Sequence, residues 1–234
     1  MEIKGSVALV TGANRGFGRE LAAALLERGA AKVYAAARRP ETVDLPGVVP
    51  LALDVTDPAS VLAAAAQAPD VTLLVNNAGV STGASFLDGS LDDVRLEMET
   101  HYFGPLATAR AFAPVLASNG GGAVLNVLSA LSWVTAPHVN AYSAGKAAAL
   151  QLTNGLRLAL YDQGTQVTAL HVGYMDTDMA ADIADPKSNP ADIAAVALDG
   201  IEKGAFEIVA DDFSRYVRAG LSGDLTVLYP QLVS

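Results

Sequence analysis

The 234-residue chain contains no cysteine. Disulfides, thiolate nucleophiles and thiolate metal sites are therefore excluded. That usage suits a reducing compartment, and a cytoplasmic location is the expectation. Charge is sparse, at 17% of residues, and unbalanced: 15 Lys and Arg stand against 25 Asp and Glu, a formal net charge of −10. A nucleic-acid binder needs a basic stripe, and none is visible. The acidity serves solubility instead. No apolar run approaches the roughly 18–20 residues of a membrane span, and the opening Met1-Glu-Ile-Lys-Gly-Ser6 leads into a strand too short for a signal peptide. Linkers, internal repeats and low-complexity tracts are also missing.

What is present is a hydrophobic fraction of 51%, enough to fill one sizeable core. Short β-branched runs alternate with long stretches rich in alanine and leucine. Strands are predicted at Ser6–Val10, Ala31–Ala36, Val48–Leu53, Val71–Val75, Ala123–Leu128, Gln166–His171 and Phe206–Ala210. Most are apolar throughout, as expected of parallel strands covered on both faces. Helices are predicted at Gly16–Arg28, Pro58–Gln67, Leu91–Ala117, Val139–Tyr161, Ala191–Lys203 and about Asp211–Leu221. Pro105 and Pro114 should kink or shorten the third of these. The link from Ala37 to Gly47 leaves room for only a turn or so of helix. The alternation predicts an α/β fold: a doubly wound parallel sheet of about seven strands with helices on both faces. Residues 1–234 form one domain on this reading, and too little follows the last strand to build a second.

The turn after the first strand reads Thr11-Gly-Ala-Asn-Arg-Gly-Phe-Gly18. Gly12, Gly16 and Gly18 serve a tight turn, a close backbone approach to a pyrophosphate, and close helix–strand packing. The helix N-terminus behind them offers unpaired N–H groups to the phosphates. Their spacing is Gly-x-x-x-Gly-x-Gly, so a dinucleotide site rests on the position between strand and helix rather than on the glycines alone. The second strand ends Ala-Ala-Ala-Arg38-Arg39, and the first acid comes only at Glu41. An acid at that end would hold the ribose 2′-hydroxyl of NAD, whereas arginine suits the 2′-phosphate of NADP. Arg38, with Arg15 reaching from the glycine turn, therefore predicts NADP(H).

Tyr142-Ser-Ala-Gly-Lys146 places a phenol and an ammonium one helical turn apart. A cation roughly 4 Å away at an effective dielectric near 20 stabilises a phenolate by about 4 kcal/mol, or about three pKa units. The expectation is a tyrosine tuned to give a proton to the alkoxide left by hydride transfer. Ser129, 13 residues earlier at the end of the fifth strand, can bond the same oxygen.

The glycine turn, Asn76-Asn77-Ala78-Gly79, Ser129, and Tyr142 with Lys146 together resemble the short-chain dehydrogenase/reductase superfamily in its short, single-domain form. The match in order and spacing runs over essentially the whole chain. The resemblance implies a Rossmann-type fold. It implies that the serine orients the substrate, the tyrosine exchanges the proton and the lysine binds the nicotinamide ribose. It gives the cofactor Gly12, Asn14, Arg15, Gly16, Phe17, Gly18, Asp54 and Val55 beside the adenine, Asn77, Ala78 and Gly79, and Gly173, Met175 and Thr177 at the carboxamide. The rival reading of Asp54–Val55 is a helix cap near Pro58, and that of Asn76–Gly79 is a purely structural turn. A homodimer or homotetramer through the third and fourth long helices is also implied.

Three residues depart from the family pattern. His101 stands where the family usually has an asparagine that holds a water behind the lysine. A histidine can also donate and accept one hydrogen bond, but it is larger and titrates near pH 6.5. Val172 replaces a usual proline before Gly173, which frees the nicotinamide loop. Gly145 replaces a common serine. Ser81, Phe86, Leu131, Trp133, His138, Tyr174 and Met179 follow the fourth, fifth and sixth strands, whose ends open onto the substrate crevice. Their apolar and aromatic character predicts an uncharged ketone or aldehyde, or the matching alcohol, as the small-molecule partner. No metal is expected, because His138 and His171 lack partners at ligand spacing. The alternative to a carbonyl reductase is an NADP-binding sensor weakened in catalysis by His101.

Overall fold

The computed structural model describes residues 1–233. Seven parallel strands form one sheet: β1 (Val7–Thr11), β2 (Lys32–Ala37), β3 (Val49–Ala52), β4 (Leu73–Asn76), β5 (Gly122–Val127), β6 (Thr165–His171) and β7 (Glu207–Val209), in the order β3-β2-β1-β4-β5-β6-β7. Each begins and ends within two residues of the predicted run. β1, β2, β4, β5 and β6 are almost wholly buried, as continuous apolar runs require. β3 is an edge strand, which explains how it accommodates Pro50 without losing an inner ladder bond.

The helices are α1 (Gly16–Glu27), α2 (Pro58–Gln67), α3 (Leu91–Met98), α4 (Gly104–Ser118), α5 (Asn140–Ala159), α6 (Pro190–Glu202), α7 (Asp212–Gly220) and the single turn α8 (Leu225–Leu228). They cover two apolar layers. One joins α1 and α6 to one sheet face through Phe17, Leu21, Leu25, Leu198 and Ile201. The other joins α2, α4 and α5 to the opposite face through Val61, Phe112, Leu116 and Leu156. A doubly wound, Rossmann-type sheet is thus observed. The β2–β3 link holds only the single turn Pro40–Thr42, as its length predicts.

The predicted helix Leu91–Ala117 is interrupted. Pro105 has no N–H to give the His101 carbonyl, and its ring crowds that turn. The ladder widens to a π-turn over Glu99–Phe103, with the Gly104 N–H bonded to the Glu99 carbonyl. Pro114 remains inside α4. The widened turn carries His101 towards the end of the sheet where strand order reverses between β1 and β4, the place where open α/β sheets bind ligands.

Candidate active site

The glycine turn is held by its own geometry. Gly12 and Gly16 have φ of +66° and +54°, a region that L side chains rarely adopt. Gly18 is the tightest: an added Cβ would lie 2.3 Å from the Gly12 carbonyl oxygen and 2.4 Å from Asn77 Nδ2. Asn77 donates from Nδ2 to the Thr11 carbonyl at 2.9 Å, and the N–H groups of Asn77 and Ala78 donate to Thr11 Oγ1 at 2.9 and 3.0 Å. Asn76 ties the sheet to the helices: its amide donates to Asn126 Oδ1 at 2.8 Å and its oxygen accepts from Thr108 at 2.7 Å. Asn126 in turn donates to Thr153 on α5 at 2.9 Å. These bonds place the Asn-Asn-Ala-Gly segment as the clasp between the glycine turn and the sheet.

At the start of α1 the extended residue Arg15 makes no side-chain cap, and the first turn contains no acid. Its free N–H groups and dipole suit an anion. The turn therefore fits a dinucleotide pyrophosphate. Asn14 donates to Thr42 at 3.1 Å, and Phe17 is buried in the core rather than turned outward. Arg15 lies 3.4 Å from Asp178 with both side chains exposed, so it spans the mouth of the turn towards the loop after β6. Arg38 is exposed just beyond β2 and has no ion-pair partner among the described residues. Asp54 bonds the Thr56 N–H and hydroxyl, whereas the cap of α2 is Asp57, which accepts from the Ala59 N–H. The cap reading thus belongs to Asp57 and not to Asp54. Val55 meets Gly104 at the start of α4, where an added Cβ would lie 3.0 Å away.

Ser129 follows β5, and its hydroxyl accepts from the Leu131 N–H at 3.1 Å. Its carbonyl is held by Ser132, which also contacts the buried His171 at 3.0 Å. Tyr142 and Lys146 lie on α5, with the Lys146 ammonium 5.5 Å from the phenol ring centre. Lys146 is buried and donates to the Val127 carbonyl at 2.8 Å. Burial lowers its pKa to about 8, against a partial rise from Glu97. The expected depression of the Tyr142 pKa is overturned. Burial pushes the phenol up; the Ser129 hydroxyl opposes this, and the charges of Glu97 and Tyr174 add to it.

The depressed Lys146 pKa has a stability consequence. The unfolded chain binds more protons than the folded one between about pH 8 and the ordinary lysine value of roughly 10.5. Stability of the free protein therefore rises with pH through that window. Below it the buried charge costs about 3 kcal/mol at about 1.4 kcal/mol per pKa unit. Lys146→Met should raise the melting temperature of the free protein at pH 7 by several degrees, measured by calorimetry.

His101 is 2% exposed and packs edge-on against Tyr142 at 5.0 Å between ring centres. Its Nε2 lies 2.8 Å from the Val80 carbonyl and 3.0 Å from Glu97 Oε2. A carbonyl only accepts, so Nε2 carries the proton. Burial and the Lys146 charge lower its pKa, and the ring is neutral at pH 7. Nδ1 is buried with no partner among the described residues, a cost of about 1–3 kcal/mol. Gly145 explains itself here: an added Cβ would lie 3.2 Å from His101 Cβ and 3.4 Å from Cδ2. The Glu97 carbonyl oxygen would also lie 3.2 Å from that Cβ, so glycine at 145 lets α5 come close to the backbone of the π-turn segment.

Sequence reasoning missed Glu97, which is fully buried. Its Oε1 accepts from the Thr82 N–H and hydroxyl at 2.7 and 2.9 Å. Burial opposes its charge, but bonds from His101 and Thr82 outweigh this and hold the carboxyl below the usual range. Its i,i+4 spacing to His101 was the available signal.

The loop after β6 is pinned despite Val172. Val172 is buried, its carbonyl accepts from the Ala130 N–H at 3.1 Å, and the Gly173 N–H donates to Asp211 at 2.7 Å. Met175 packs partly against the core, and Thr177 flanks Gly16. Among the expected pocket residues, Leu131 lines a cleft of about 260 Å³ with Phe213, Tyr216 and Tyr229. Trp133 is stacked on His171 at 3.7 Å and lies 5.6 Å from the Arg218 guanidinium, so its faces are taken up by packing. Ser81, Phe86, His138 and Met179 are exposed at the rim, and Tyr174 is half-buried close enough to Tyr142 to raise its pKa.

A model of the family described as short chain dehydrogenase matches residues 6–188. The chain belongs to the short-chain dehydrogenases. A short-chain dehydrogenase from Burkholderia cenocepacia J2315, solved in complex with NADP, is 41% identical over 100% of both chains, with a TM-score of 0.95. A short-chain dehydrogenase/reductase from Burkholderia phymatum, solved in complex with NAD, is 25% identical, with 99% of this chain and 96% of that one covered at a TM-score of 0.84. Oxidoreductase UcpA of Escherichia coli K12 is 33% identical over 85% of this chain and 80% of its own length. Curated mammalian relatives at 28–29% identity are longer, and this chain spans 65% of their length. Among the described residues no helix is long and apolar enough to cross a membrane.

Proposed function

We propose that this short-chain dehydrogenase, acting as a single domain, is an NADP(H)-dependent carbonyl reductase or secondary-alcohol dehydrogenase. The convergence of Ser129, Tyr142 and Lys146 beside a glycine turn built for a pyrophosphate carries this reading. Gly12 to Gly18 with Asn14 and Arg15 hold the dinucleotide phosphates. Arg38 recognises the 2′-phosphate, since it stands free where an acid would select NAD. Asp54 and Val55 flank the adenine, Asn77 to Gly79 the adjoining ribose, and Gly173, Met175 and Thr177 the carboxamide. When bound, the nicotinamide supplies or takes the hydride.

Ser129 orients the substrate oxygen. Tyr142 gives its phenolic proton to the alkoxide in reduction and takes it back in oxidation. Lys146 binds the nicotinamide ribose and offsets the cost that burial places on the phenolate. The substrate is an uncharged ketone or aldehyde entering past Leu131, Tyr174 and the rim residues. The exposed Phe103, Leu158 and Tyr161 on and near α4 and α5 fit a homodimer or homotetramer.

Two titrations and one rate test this. NADPH oxidation should be seen with uncharged ketones or aldehydes, and activity confined to charged sugar phosphates would sink the substrate assignment. Arg38→Ala should weaken NADPH by about tenfold or more, the loss of a charge-assisted bond, and leave NADH unchanged. Equal affinity of the unaltered protein for NADH and NADPH would refute the 2′-phosphate assignment. Tight NADPH binding without turnover of any carbonyl would favour the sensor, a reading that rests on His101.

A further inference from the structure

We infer that Asp211 is a positioning residue: one carboxylate oxygen caps α7, and the other holds both ends of the loop that receives the nicotinamide carboxamide. The role given to that loop rests on the oxidoreductase reading above. Asp211 stands at the N-cap of α7, and its Oδ1 accepts from the Ser214 N–H at 2.8 Å. A cap needs no more than this one oxygen. Oδ2 turns to other segments. It accepts from the Gly173 N–H at 2.7 Å and from the Ser188 hydroxyl at 3.4 Å, 38 and 23 residues away in the sequence. No helix start requires either bond.

Gly173 and Ser188 are the two ends of one loop. The Ser188 N–H donates to the Tyr174 carbonyl at 2.8 Å, and the Asp176 N–H donates to the Ser188 carbonyl at 3.0 Å. A single parallel bridge between Met175 and Ser188 closes the base. Beyond that base come Thr177, which flanks Gly16, and Asp178, which meets Arg15. β6 ends at His171, so Gly173 has left the ladder and its N–H needs another acceptor. Val172 supplies no proline ring to stiffen the chain there, and a charge-assisted bond to Asp211 holds it instead. Gly173 does not adopt a positive φ, so its backbone conformation does not call for glycine. Close approach does: an added Cβ would lie 3.0 Å from Asp211 Oδ2 and 3.0 Å from Phe213 Cδ1. The carboxylate therefore sets where Met175 and Thr177 lie relative to the glycine turn.

Asp211→Ser separates the two jobs. Serine caps a helix about as well as aspartate, but it has one short oxygen, which the Ser214 N–H keeps. In the free protein, amide exchange at Gly173, Asp176 and Ser188 should quicken by about tenfold or more, while the amides of α7 hold their rates. Affinity for NADPH should fall by about tenfold, the loss of one charge-assisted bond's worth of positioning. Affinity for adenosine 2′,5′-bisphosphate, which has no nicotinamide, should stay within about twofold, because its contacts lie on the glycine-turn side. Unchanged exchange between Gly173 and Ser188 would show that Asp211 is a helix cap alone. Quickened exchange with NADPH affinity intact would part the loop from the cofactor and overturn the inference as well. Equal losses for the two ligands would show a general disturbance and also overturn it. If Asp211→Ser does not fold, the unaltered protein decides: a Gly173 amide that exchanges as fast as one open to water contradicts the anchor. None of these measurements uses turnover, so a protein that reduces no carbonyl would refute the oxidoreductase reading and leave the anchor to be judged on its own data. If the unaltered protein binds no NADPH, the cofactor assignment fails and the exchange rates still judge the anchor.

Discussion

Tyr142→Phe should lower NADPH-dependent carbonyl reduction by about a thousandfold, in the middle of the range for removing a general acid. NADPH affinity should change less than about threefold, because the ring and its contact with His101 remain. The measurement is steady-state kcat at pH 7 beside fluorescence titration of NADPH. The size follows from the alkoxide, which must take a proton from some donor, and Tyr142 supplies the hydroxyl beside Ser129. Lys146 is tied to the Val127 carbonyl, and the His101 Nε2 proton is held by the Val80 carbonyl. A loss below tenfold would mean that another group or water donates. Burial holds the phenol above its ordinary value in the free protein, so the proton is retained until substrate demands it.

Gly18→Ala should abolish measurable NADPH binding and destabilise the fold by about 1–3 kcal/mol, the usual cost of overpacking. The added methyl would fall 2.3 Å from the Gly12 carbonyl oxygen, a backbone atom that cannot step aside, and 2.4 Å from the Asn77 amide that clasps the turn. Either the glycine turn opens or Asn77 leaves it. Both outcomes misplace the N–H groups at the start of α1. Calorimetry and NADPH titration check the two effects separately. Gly155→Ala on α5, where an added Cβ meets nothing within 4 Å, is the control, and it should be neutral or slightly stabilising.

The sheet was legible because its strands are apolar on both faces, a pattern without a helical period. The glycine turn was legible because strand, turn and helix follow one another without a spacer. Tyr142, Lys146 and Ser129 were legible through order and spacing. Three features were not. The π-turn at Glu99–Phe103 depends on how the ladder responds to Pro105, and the prolines signalled only a kink or a shortening. Glu97 looked like one more solvated acid in Leu91-Asp-Asp-Val-Arg-Leu-Glu-Met98, and only tertiary packing shows that it is buried. The Tyr142 pKa failed for the same reason. Helical spacing supplies the ammonium, but the desolvation that raises the phenol depends on what closes over it.

His101 and Gly145 were each visible as departures. Their relation was not, because they lie 44 residues apart and meet only where α5 crosses the π-turn.

The central claim is that this chain transfers a hydride between NADP(H) and an uncharged carbonyl with Tyr142 as the proton donor. It is tested most directly by incubating the protein with NADPH deuterated at C4 of the nicotinamide and a panel of ketones and aldehydes, with mass spectrometry of the alcohols. The account predicts deuterium on the carbinol carbon from one C4 face only, and none above background with Tyr142→Phe. Alcohol labelled equally by the Tyr142→Phe protein, or no labelled alcohol from any carbonyl despite tight NADPH binding, would contradict it.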